Sequence, residues 1–407
     1  MQTLPPCYSL RAAMLFSPLA SPQENAWINI KGGNITSIGS ATETTHFDPG
    51  DCAVLPGLVN AHAHLEFSDL ESPLGRGGMP LPDWIGKVLA WRSSGRRKSI
   101  QERIGSGIEQ SLAGGVVAVA DIVSEQRVSI ETPLHYHAFE EVIAASEAQH
   151  TVALQRVDAV ASSIAAGSCR GGISPHAPYS VAPAIWERAV QRARDHNIPL
   201  AVHLAETRDE LSFLADGTGP FATLLADRGA IDFMAAGRTP QAFLNMLARA
   251  PSTLIAHGNY LTVDEIQFLA AHRDCMTLVY CPRTHNYFGH DRYPLATMLD
   301  AGARVAIGTD GRGSNPDLSL WRELQHIAQT HAEVPGEAIL EMGTLNGAEG
   351  LSLADRIGTI EAGKEASLAV VRFTDVAHRN SYARLFDSTS EVIATIIAGN
   401  LVGGSLE

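Results

Sequence analysis

The stretch that decides the fold is Val54-Leu55-Pro56-Gly57-Leu58-Val59-Asn60-Ala61-His62-Ala63-His64. A short apolar run that contains Pro-Gly and ends in two histidines predicts a buried β-strand. Because side chains alternate along a strand, histidines two residues apart place their imidazoles on one side of its C-terminal end. This arrangement is typical of a metal-ligand pair, although two of the chain's 16 histidines can also fall this close by chance.

The composition predicts a globular protein with a large core. The chain has 407 residues, of which 45% are hydrophobic and 18% charged, enough for one large and one smaller domain. The net charge of −14 is spread along the chain without a long basic cluster, which argues against nucleic-acid binding. No apolar stretch approaches the ~18 residues of a membrane span and no leader pattern is evident, so we expect no membrane association and a cytoplasmic location.

The cysteines indicate neither a disulfide framework nor a cysteine zinc site. They are odd in number and lack paired spacing. They are Cys7, Cys52, Cys169, Cys275 and Cys281.

Both ends of the chain alternate apolar and polar residues, as β-strands do. Residues 26–30 and 35–39 flank the turn Lys31-Gly32-Gly33-Asn34, which predicts a hairpin. Near the C-terminus, residues 366–371 and 392–397 predict two strands, the second of them the last in the chain. We therefore expect residues 1–54 and 359–407 to form one small β-domain and residues 55–358 to form the large domain.

The large domain alternates apolar strand-like runs with longer helical patterns, which favours parallel strands joined by helices. With the opening stretch, the runs number eight, the count of a closed (β/α)₈ barrel of the α/β class. The other seven are residues 116–120, 135–139, 172–174, 200–203, 253–257, 276–280 and 305–309.

Five polar residues fall at or just after the ends of these runs, where the loops of a barrel converge on one mouth. Singly, each is compatible with a hydrogen-bonded rim residue or a turn. Together they predict a shared metal centre. They are His62, His64, His203, His257 and Asp310.

Several motifs together resemble the metal-dependent amidohydrolase superfamily, in particular its cytosine deaminase, guanine deaminase and chlorohydrolase-like branch. The His-Leu-Glu-Phe-Ser segment at residues 64–68 and the segment at 283–290 make the chain most similar to the aminodeoxyfutalosine deaminases. The motifs are residues 56–64, 174–180, 203–207, 256–258, 308–311 with 314–315, and 358–368.

The resemblance implies a (β/α)₈ barrel flanked by a β-sandwich built from both termini. It also implies one divalent metal ion, held by His62, His64, His203 and Asp310. Imidazoles with one carboxylate suit zinc, with iron as the alternative. Such an ion lowers the pKa of a bound water to roughly 7, so that hydroxide is available as nucleophile. Because ligand histidines must be neutral, we expect activity to fall below about pH 6.

Two further residues are candidates for catalysis, together with Asp310, which is expected to act as ligand and base. Glu206 lies three residues beyond His203, so it can move a proton from water to the ring and then to the leaving amine. An acid that favours a helix N-terminus is the alternative for Glu206. His257 either orients the attacking hydroxide or contacts the metal ion directly.

The resemblance also supplies candidates for substrate binding. It implies that His176 contacts substrate, that Ser314 meets the ring edge and that Trp84 lies on the first active-site loop. His176 could instead be a structural rim residue, and Trp84 could stack on a base or pack the loop. For the aminodeoxyfutalosine-like substrate, Glu66 is expected to accept hydrogen bonds from ribose hydroxyls. Arg283, or else Arg76, is expected to hold a benzoate, although Arg283 could simply pair with a rim acid.

The function expected from these features is hydrolytic deamination of an aminated purine-type heterocycle or nucleoside, with 6-amino-6-deoxyfutalosine as one candidate. The chain would then be a hydrolase of carbon–nitrogen bonds in cyclic amidines with a small-molecule substrate, and a homodimer is left open. Alternatives are deamination of adenosine, S-adenosylhomocysteine, guanine or cytosine, and triazine dechlorination. Alternatives of other classes are a non-catalytic ligand-binding barrel and a sugar-phosphate enzyme, which would need a glycine-rich phosphate loop.

Overall fold

A computed structural model describes residues 4–95, 97–125, 127–167, 170–227, 229, 237–373 and 381–406. In this part of the chain, no helix is long and apolar enough to cross a membrane. Its cysteines, Cys7, Cys52, Cys275 and Cys281, are free. Cys169 lies outside the described residues.

In the described ranges, sixteen strands make up two sheets. In chain order they are β1 (Cys7–Ser17), β2 (Ala20–Lys31), β3 (Asn34–Gly39), β4 (His46–Phe47), β5 (Cys52–Pro56), β6 (Leu58–Ala63), β7 (Val116–Val123), β8 (His135–Val142), β9 (Gly171–Pro175), β10 (Leu200–Leu204), β11 (Thr253–His257), β12 (Met276–Tyr280), β13 (Val305–Ile307), β14 (Leu368–Arg372), β15 (Glu391–Ile397) and β16 (Asn400–Gly404).

Helices follow most of the barrel strands, and a short 3₁₀ turn spans Leu65–Phe67. The α-helices are α1 (Leu81–Arg92), α2 (Ile100–Ala113), α3 (Glu147–Ala165), α4 (Pro183–His196), α5 (Arg208–Asp216), α6 (Pro220–Ala226), α7 (Pro240–Leu247), α8 (Val263–Ala271), α9 (Pro282–Phe288), α10 (Leu295–Asp300), α11 (Leu320–Thr330), α12 (Gly336–Gly343), α13 (Leu345–Gly350) and α14 (Ser381–Leu385).

Strands β6 to β13 lie side by side in sequence order and run parallel. A parallel bridge between Ala63 and Asp310 brings the first and last of them together. Apart from Tyr136 and Glu140 in β8, which are half-buried, the residues of these strands are buried, as expected for parallel strands covered by helices on the outside. The expected (β/α)₈ barrel is confirmed, and each of its eight strands overlaps one of the eight runs identified in the sequence.

The remaining strands form a separate mixed sheet that contains both ends of the chain. Its order is β16-β15-β14-β5-β1-β2-β3, with β4 paired to β1. The expected hairpin is present, since β2 and β3 pair antiparallel across Gly32 and Gly33 with Lys31 opposite Asn34. Strand β5 joins the two ends, because it pairs with β1 on one side and with β14 on the other. The domain boundaries given above stay a prediction.

Two expectations about strands need correction. The opening stretch is two strands, not one, because the chain passes at Gly57 from β5 in the terminal sheet to β6 in the barrel. The strand at Glu391–Ile397 is not the last, since the turn at Ala398-Gly399 leads into β16. The first error arises because the apolar run continues unbroken while the chain passes from one sheet to the other.

The crossing at Gly57 leaves no room for a side chain, and this generates a stability prediction. A Cβ atom at residue 57 would lie 2.2 Å from Cγ1 of Val117, a fully buried residue of β7. We expect Gly57→Ala to lower the free energy of unfolding by about 1–3 kcal/mol, because overpacking forces β7 away. Chemical denaturation measures the change.

The matched control is Gly105→Ala in α2, where an added Cβ meets no atom within 4 Å. It should leave the stability unchanged or raise it by up to about 1 kcal/mol, as alanine favours helix. A Gly57→Ala protein as stable as the control would contradict the assigned close contact.

Candidate active site

The two histidines of the opening stretch meet Asp310 where the barrel closes. The Asp310 N–H donates to the carbonyl oxygen of His62 at 3.1 Å, and the His64 N–H donates to the carbonyl oxygen of Asp310 at 3.3 Å. The side chain of Asn60 reinforces this pairing, because its amide nitrogen donates to Thr309 Oγ1 at 2.8 Å. The backbone that closes the barrel therefore also carries these three side chains to one place.

The backbone at the barrel mouth is strained at three non-glycine residues. Ala205, His257 and Asp310 have φ values of +52°, +71° and +56°, in the left-handed region that such residues rarely adopt. Each lies at or just after the end of a barrel strand, and Ala205 separates His203 from Glu206. Strain of this kind clusters at functional sites, where it directs side chains that a regular strand would leave elsewhere.

Four polar side chains converge tightly at the mouth. Asp310 Oδ1 lies 3.8 Å from His62 Nε2 and 3.6 Å from His64 Nε2. His64 Nε2 lies 3.3 Å from His203 Nε2. The His203 Nδ1–H donates to the carbonyl oxygen of His176 at 3.1 Å, a bond that leaves the lone pair of Nε2 directed at the cluster.

These side chains fit a divalent metal ion. Metal–nitrogen bonds of about 2.0–2.1 Å place tetrahedral ligand atoms about 3.3 Å apart, close to the distances found here. His62 Nε2 is buried and has no hydrogen-bond partner, which leaves its lone pair available. The described residues contain three overlapping groups of potential ligands: His62 with His64 and Asp310, His62 with His203 and His257, and Glu141 with His176 and His203.

Burial sets the protonation of the cluster. It lowers the pKa of His62 and His64 well below the usual value and lowers that of His203 to about 4. It raises the pKa of Asp310 to about 7, against the hydrogen bond from Ser314. The histidines are therefore neutral well below pH 6. Protonation of Asp310, and not of the histidines, is then expected to cause the loss of activity at low pH.

Glu206 and His257 lie together at the edge of the cluster. His257 Nε2 is 3.6 Å from Glu206 Oε1, and both residues line the cavity. Burial, then Asp310 and Glu210, raises the pKa of Glu206 well above its usual value. Glu210 holds the loop, because its carboxyl oxygens accept the N–H groups of Ala205 and Glu206 at 3.0 and 2.8 Å.

Three of the predicted substrate contacts also line the cavity. Ser314 Oγ donates to Asp310 Oδ2 at 3.1 Å. Thr284 Oγ1 lies 3.0 Å from Ser314 Oγ. Trp84 donates its indole N–H to the carbonyl oxygen of Gly313 at 3.0 Å, which fixes the ring in the wall. His176 lines the cavity, and its Nδ1 lies 2.6 Å from Ser180 Oγ.

Glu66 and Arg283 are not among the residues that line the cavity. Glu66 is 2% exposed and accepts from Arg92 Nη2 at 2.6 Å and from Ser124 Oγ at 2.7 Å. Arg283 Nε donates to Glu323 at 2.6 Å and its Nη2 to Asp317 at 2.6 Å. Neither side chain is placed to contact a ligand, and for Arg283 the alternative of pairing with acids describes the geometry. Arg76, the other arginine considered, is exposed and also outside the lining.

The cavity has features that the sequence analysis did not identify. One face of α1 lines it with apolar side chains at helical spacing, and this face ends in Arg92. The stripe could have been recognised from the period of apolar residues. Glu141 of β8 also lines the cavity and is 4% exposed. Nothing in its local sequence marks it. The apolar residues of α1 in the lining are Leu81, Trp84, Ile85, Val88 and Leu89.

The sequence profile of the amidohydrolase family matches residues 53–402. A 5-methylthioadenosine/S-adenosylhomocysteine deaminase of Moorella thermoacetica is 32% identical over 348 residues, covering 80% of this chain and 75% of that protein. The resemblance inferred from the motifs is therefore confirmed.

Solved structures share the whole fold. An aminofutalosine deaminase of Helicobacter pylori, in complex with methylthio-coformycin, superposes with a TM-score of 0.82 at 23% identity, covering 97% of this chain and 100% of that one. An adenosine deaminase of Xanthomonas campestris with bound zinc gives a TM-score of 0.75 at 23% identity, covering 98% and 93%. At this identity the likeness establishes the fold.

The protonation of the cluster predicts how metal binding depends on pH. A carboxyl group with a raised pKa is protonated below it, so below about pH 7 an incoming ion must displace one proton from Asp310. We expect the affinity for zinc to fall about tenfold per pH unit below 7, while the neutral histidines add no slope until near pH 4. Competition with a chromophoric chelator measures the affinity, and calorimetry in several buffers counts the protons.

The control is Asp310→Asn, which should bind zinc more weakly but without this slope. A flat affinity profile in the intact protein, or release of about three protons per ion, would show that Asp310 is not the titrating ligand.

Proposed function

The chain belongs to the amidohydrolase family, and we propose that it deaminates an adenosine-type nucleoside hydrolytically with one divalent metal ion, zinc in the first place. It is a hydrolase of carbon–nitrogen bonds in cyclic amidines, as its relatives' names indicate. The observation that carries the proposal is the buried Glu206 carboxyl group beside the His62, His64, His203 and Asp310 cluster, at the floor of a largely apolar cavity.

His62, His64, His203 and Asp310 would hold the ion. Its contribution would be to lower the pKa of water from 15.7 to about 7, which supplies hydroxide at neutral pH. Asp310 is oriented for the ligand role, because Ser314 donates to Oδ2 and leaves Oδ1 facing the imidazoles of His62 and His64.

Glu206 is the proton donor in this proposal. Replacing an amino group on an aromatic ring by oxygen requires a proton on a ring nitrogen and later one on the leaving amine. The raised pKa of Glu206 keeps its carboxyl group protonated near neutral pH, so it can supply the first proton. It can then take one proton from the attacking water and deliver it to the amine. The second proton of that water, released as the carbonyl group forms, returns Glu206 to its protonated state. The neutral imidazole of His257, 3.6 Å from Glu206, can accept a hydrogen bond from that water.

The cavity supports a purine nucleoside as the substrate. Its lining is largely apolar, and it opens to solvent. The apolar face of α1 provides a flat wall in which the Trp84 ring is fixed. Ser314 and Asp310 lie at the inner end, where the edge of the ring would meet Glu206. A nucleoside extended at its 5′ position, with 6-amino-6-deoxyfutalosine as one candidate, would fill the outer part.

The first prediction of the proposal concerns the substrate. We expect zinc-loaded protein to release ammonia from at least one of adenosine, 5′-methylthioadenosine, S-adenosylhomocysteine and 6-amino-6-deoxyfutalosine. Guanine and cytosine should be poor substrates, because neither carries the sugar that would fill the outer part of the cavity. An enzyme-coupled ammonia assay with matched protein and metal concentrations measures the rates. Turnover of cytosine or guanine alone would overturn the nucleoside assignment.

The second prediction separates metal binding from proton transfer. Glu206→Gln should retain the metal ion and lose about 10²–10⁴-fold in kcat, because an amide cannot supply the proton. His203→Ala should lose the metal ion and turnover together. Metal content by elemental analysis and single-turnover rates distinguish the two variants. If Glu206→Gln keeps its full rate, Glu206 is not the proton donor.

A further inference from the structure

Glu141 is a buried carboxyl group for which the proposed chemistry has no task. It lies near the C-terminal end of β8, lines the cavity and is 4% exposed. Among the described residues its carboxyl group makes no hydrogen bond, and the imidazole nitrogen nearest to it, His176 Nε2, is 3.9 Å away. Buried carboxyl groups are normally hydrogen-bonded, so one that faces a cavity without a partner is placed to bind a ligand.

His176 offers a second acceptor at the same point. The Ser180 hydroxyl donates to the carbonyl oxygen of Ala177 at 3.2 Å, so its oxygen is left to accept from His176 Nδ1 at 2.6 Å. This network is compatible with the tautomer that carries the proton on Nδ1 and the lone pair on Nε2. A carboxyl group accepts through at least one oxygen in either protonation state. Glu141 and His176 therefore present two acceptors side by side.

The charges around this point favour a neutral donor. A cation would meet the guanidinium group of Arg92, which also lines the cavity. An anion would meet Glu141 itself, and Arg92 is already paired with Glu66 at 2.6 Å and donates to Ser124 at 3.0 Å. Hydroxyl groups are donors without charge, and a vicinal diol presents two of them at neighbouring positions.

We propose that Glu141 and His176 Nε2 form an acceptor site for two sugar hydroxyl groups of the substrate, so that Glu141 determines the preference for ribonucleosides. This site takes over the contact with ribose hydroxyls that the sequence analysis expected of Glu66. Glu66 is instead paired with Arg92 and orients it. This inference rests on the proposed function and deepens it, because it names the part of the nucleoside that the cavity recognises beside the ring.

The test compares adenosine with 2′,3′-dideoxyadenosine, which have the same ring and differ only in the hydroxyl groups. Two hydrogen bonds together account for about 10- to 100-fold, so the intact enzyme should prefer adenosine by that factor in kcat/KM. Glu141→Leu should lose most of the preference by slowing adenosine alone, since only His176 remains as an acceptor, and Glu141→Gln should retain more of it through its remaining oxygen.

The matched control is Glu140→Gln on the same strand. The Glu140 side chain is paired with Arg127 at 3.2 Å and is not part of the cavity lining. This variant should keep both rates within about twofold of the intact enzyme. Metal content and thermal unfolding of all variants show whether an effect is due to misfolding, and Glu141→Gln, which keeps the shape, covers the case in which Glu141→Leu does not fold.

Calorimetric binding of inosine and 2′,3′-dideoxyinosine separates this inference from the proposed function. Deamination of adenosine and its dideoxy analogue at equal efficiency overturns the hydroxyl site and leaves the function standing. If neither is deaminated but inosine binds with a preference that Glu141→Leu removes, the site stands and the deaminase assignment falls. If no nucleoside binds or reacts, both are overturned.

Discussion

The pairing of the first barrel strand with the segment after the last one is the constraint on which the rest of the molecule depends. Main-chain hydrogen bonds join Asp310 to His62 and His64, the residues whose side chains form the cluster. Closure of the barrel and assembly of the cluster are therefore the same event, and neither can shift register without disrupting the other. The buried hydrogen bonds between Asn60 and Thr309, which precede His62 and Asp310 in the chain, fix the same register.

Polar and charged side chains around Thr309 support the same closure. Arg283 donates to Glu323, and Glu323 accepts from Asn315, whose amide also donates to the carbonyl oxygen of Thr309. The chain of contacts ends one residue before Asp310, which adopts a left-handed conformation that costs of order 1–3 kcal/mol. Strain at such a position persists only when several contacts determine it, so Arg283 is a positioning residue in this arrangement.

The sequence predicted features that have a local signature. The strands were identified because buried parallel strands are continuous apolar runs, and the cluster because its members end those runs. Contacts between distant segments left no such signature. The partners of Glu66 come from residues 92 and 124, and those of Arg283 from residues 317 and 323. Both side chains therefore looked available for substrate in the sequence, whereas Glu141 carried no mark at all.

Two carboxyl groups of similar burial are given different tasks by their neighbours. Asp310 and Glu206 both have a raised pKa, chiefly because burial disfavours their charged forms. Asp310 faces two imidazole nitrogens, so a cation held there would return it to the carboxylate form. Glu206 has the neutral His257 beside it, and Asp310 and Glu210 raise its pKa further, so it keeps its proton.

Glu210 is a third buried acid close to the cluster, but it cannot replace Glu206. Its oxygens are occupied by the N–H groups of Ala205 and Glu206. Asp310 is then placed to hold a charge and Glu206 to give up a proton. Acid–base chemistry on a ring requires such a division. Ala205 adopts a left-handed conformation in the loop that Glu210 anchors, and Glu206, the next residue, lines the cavity.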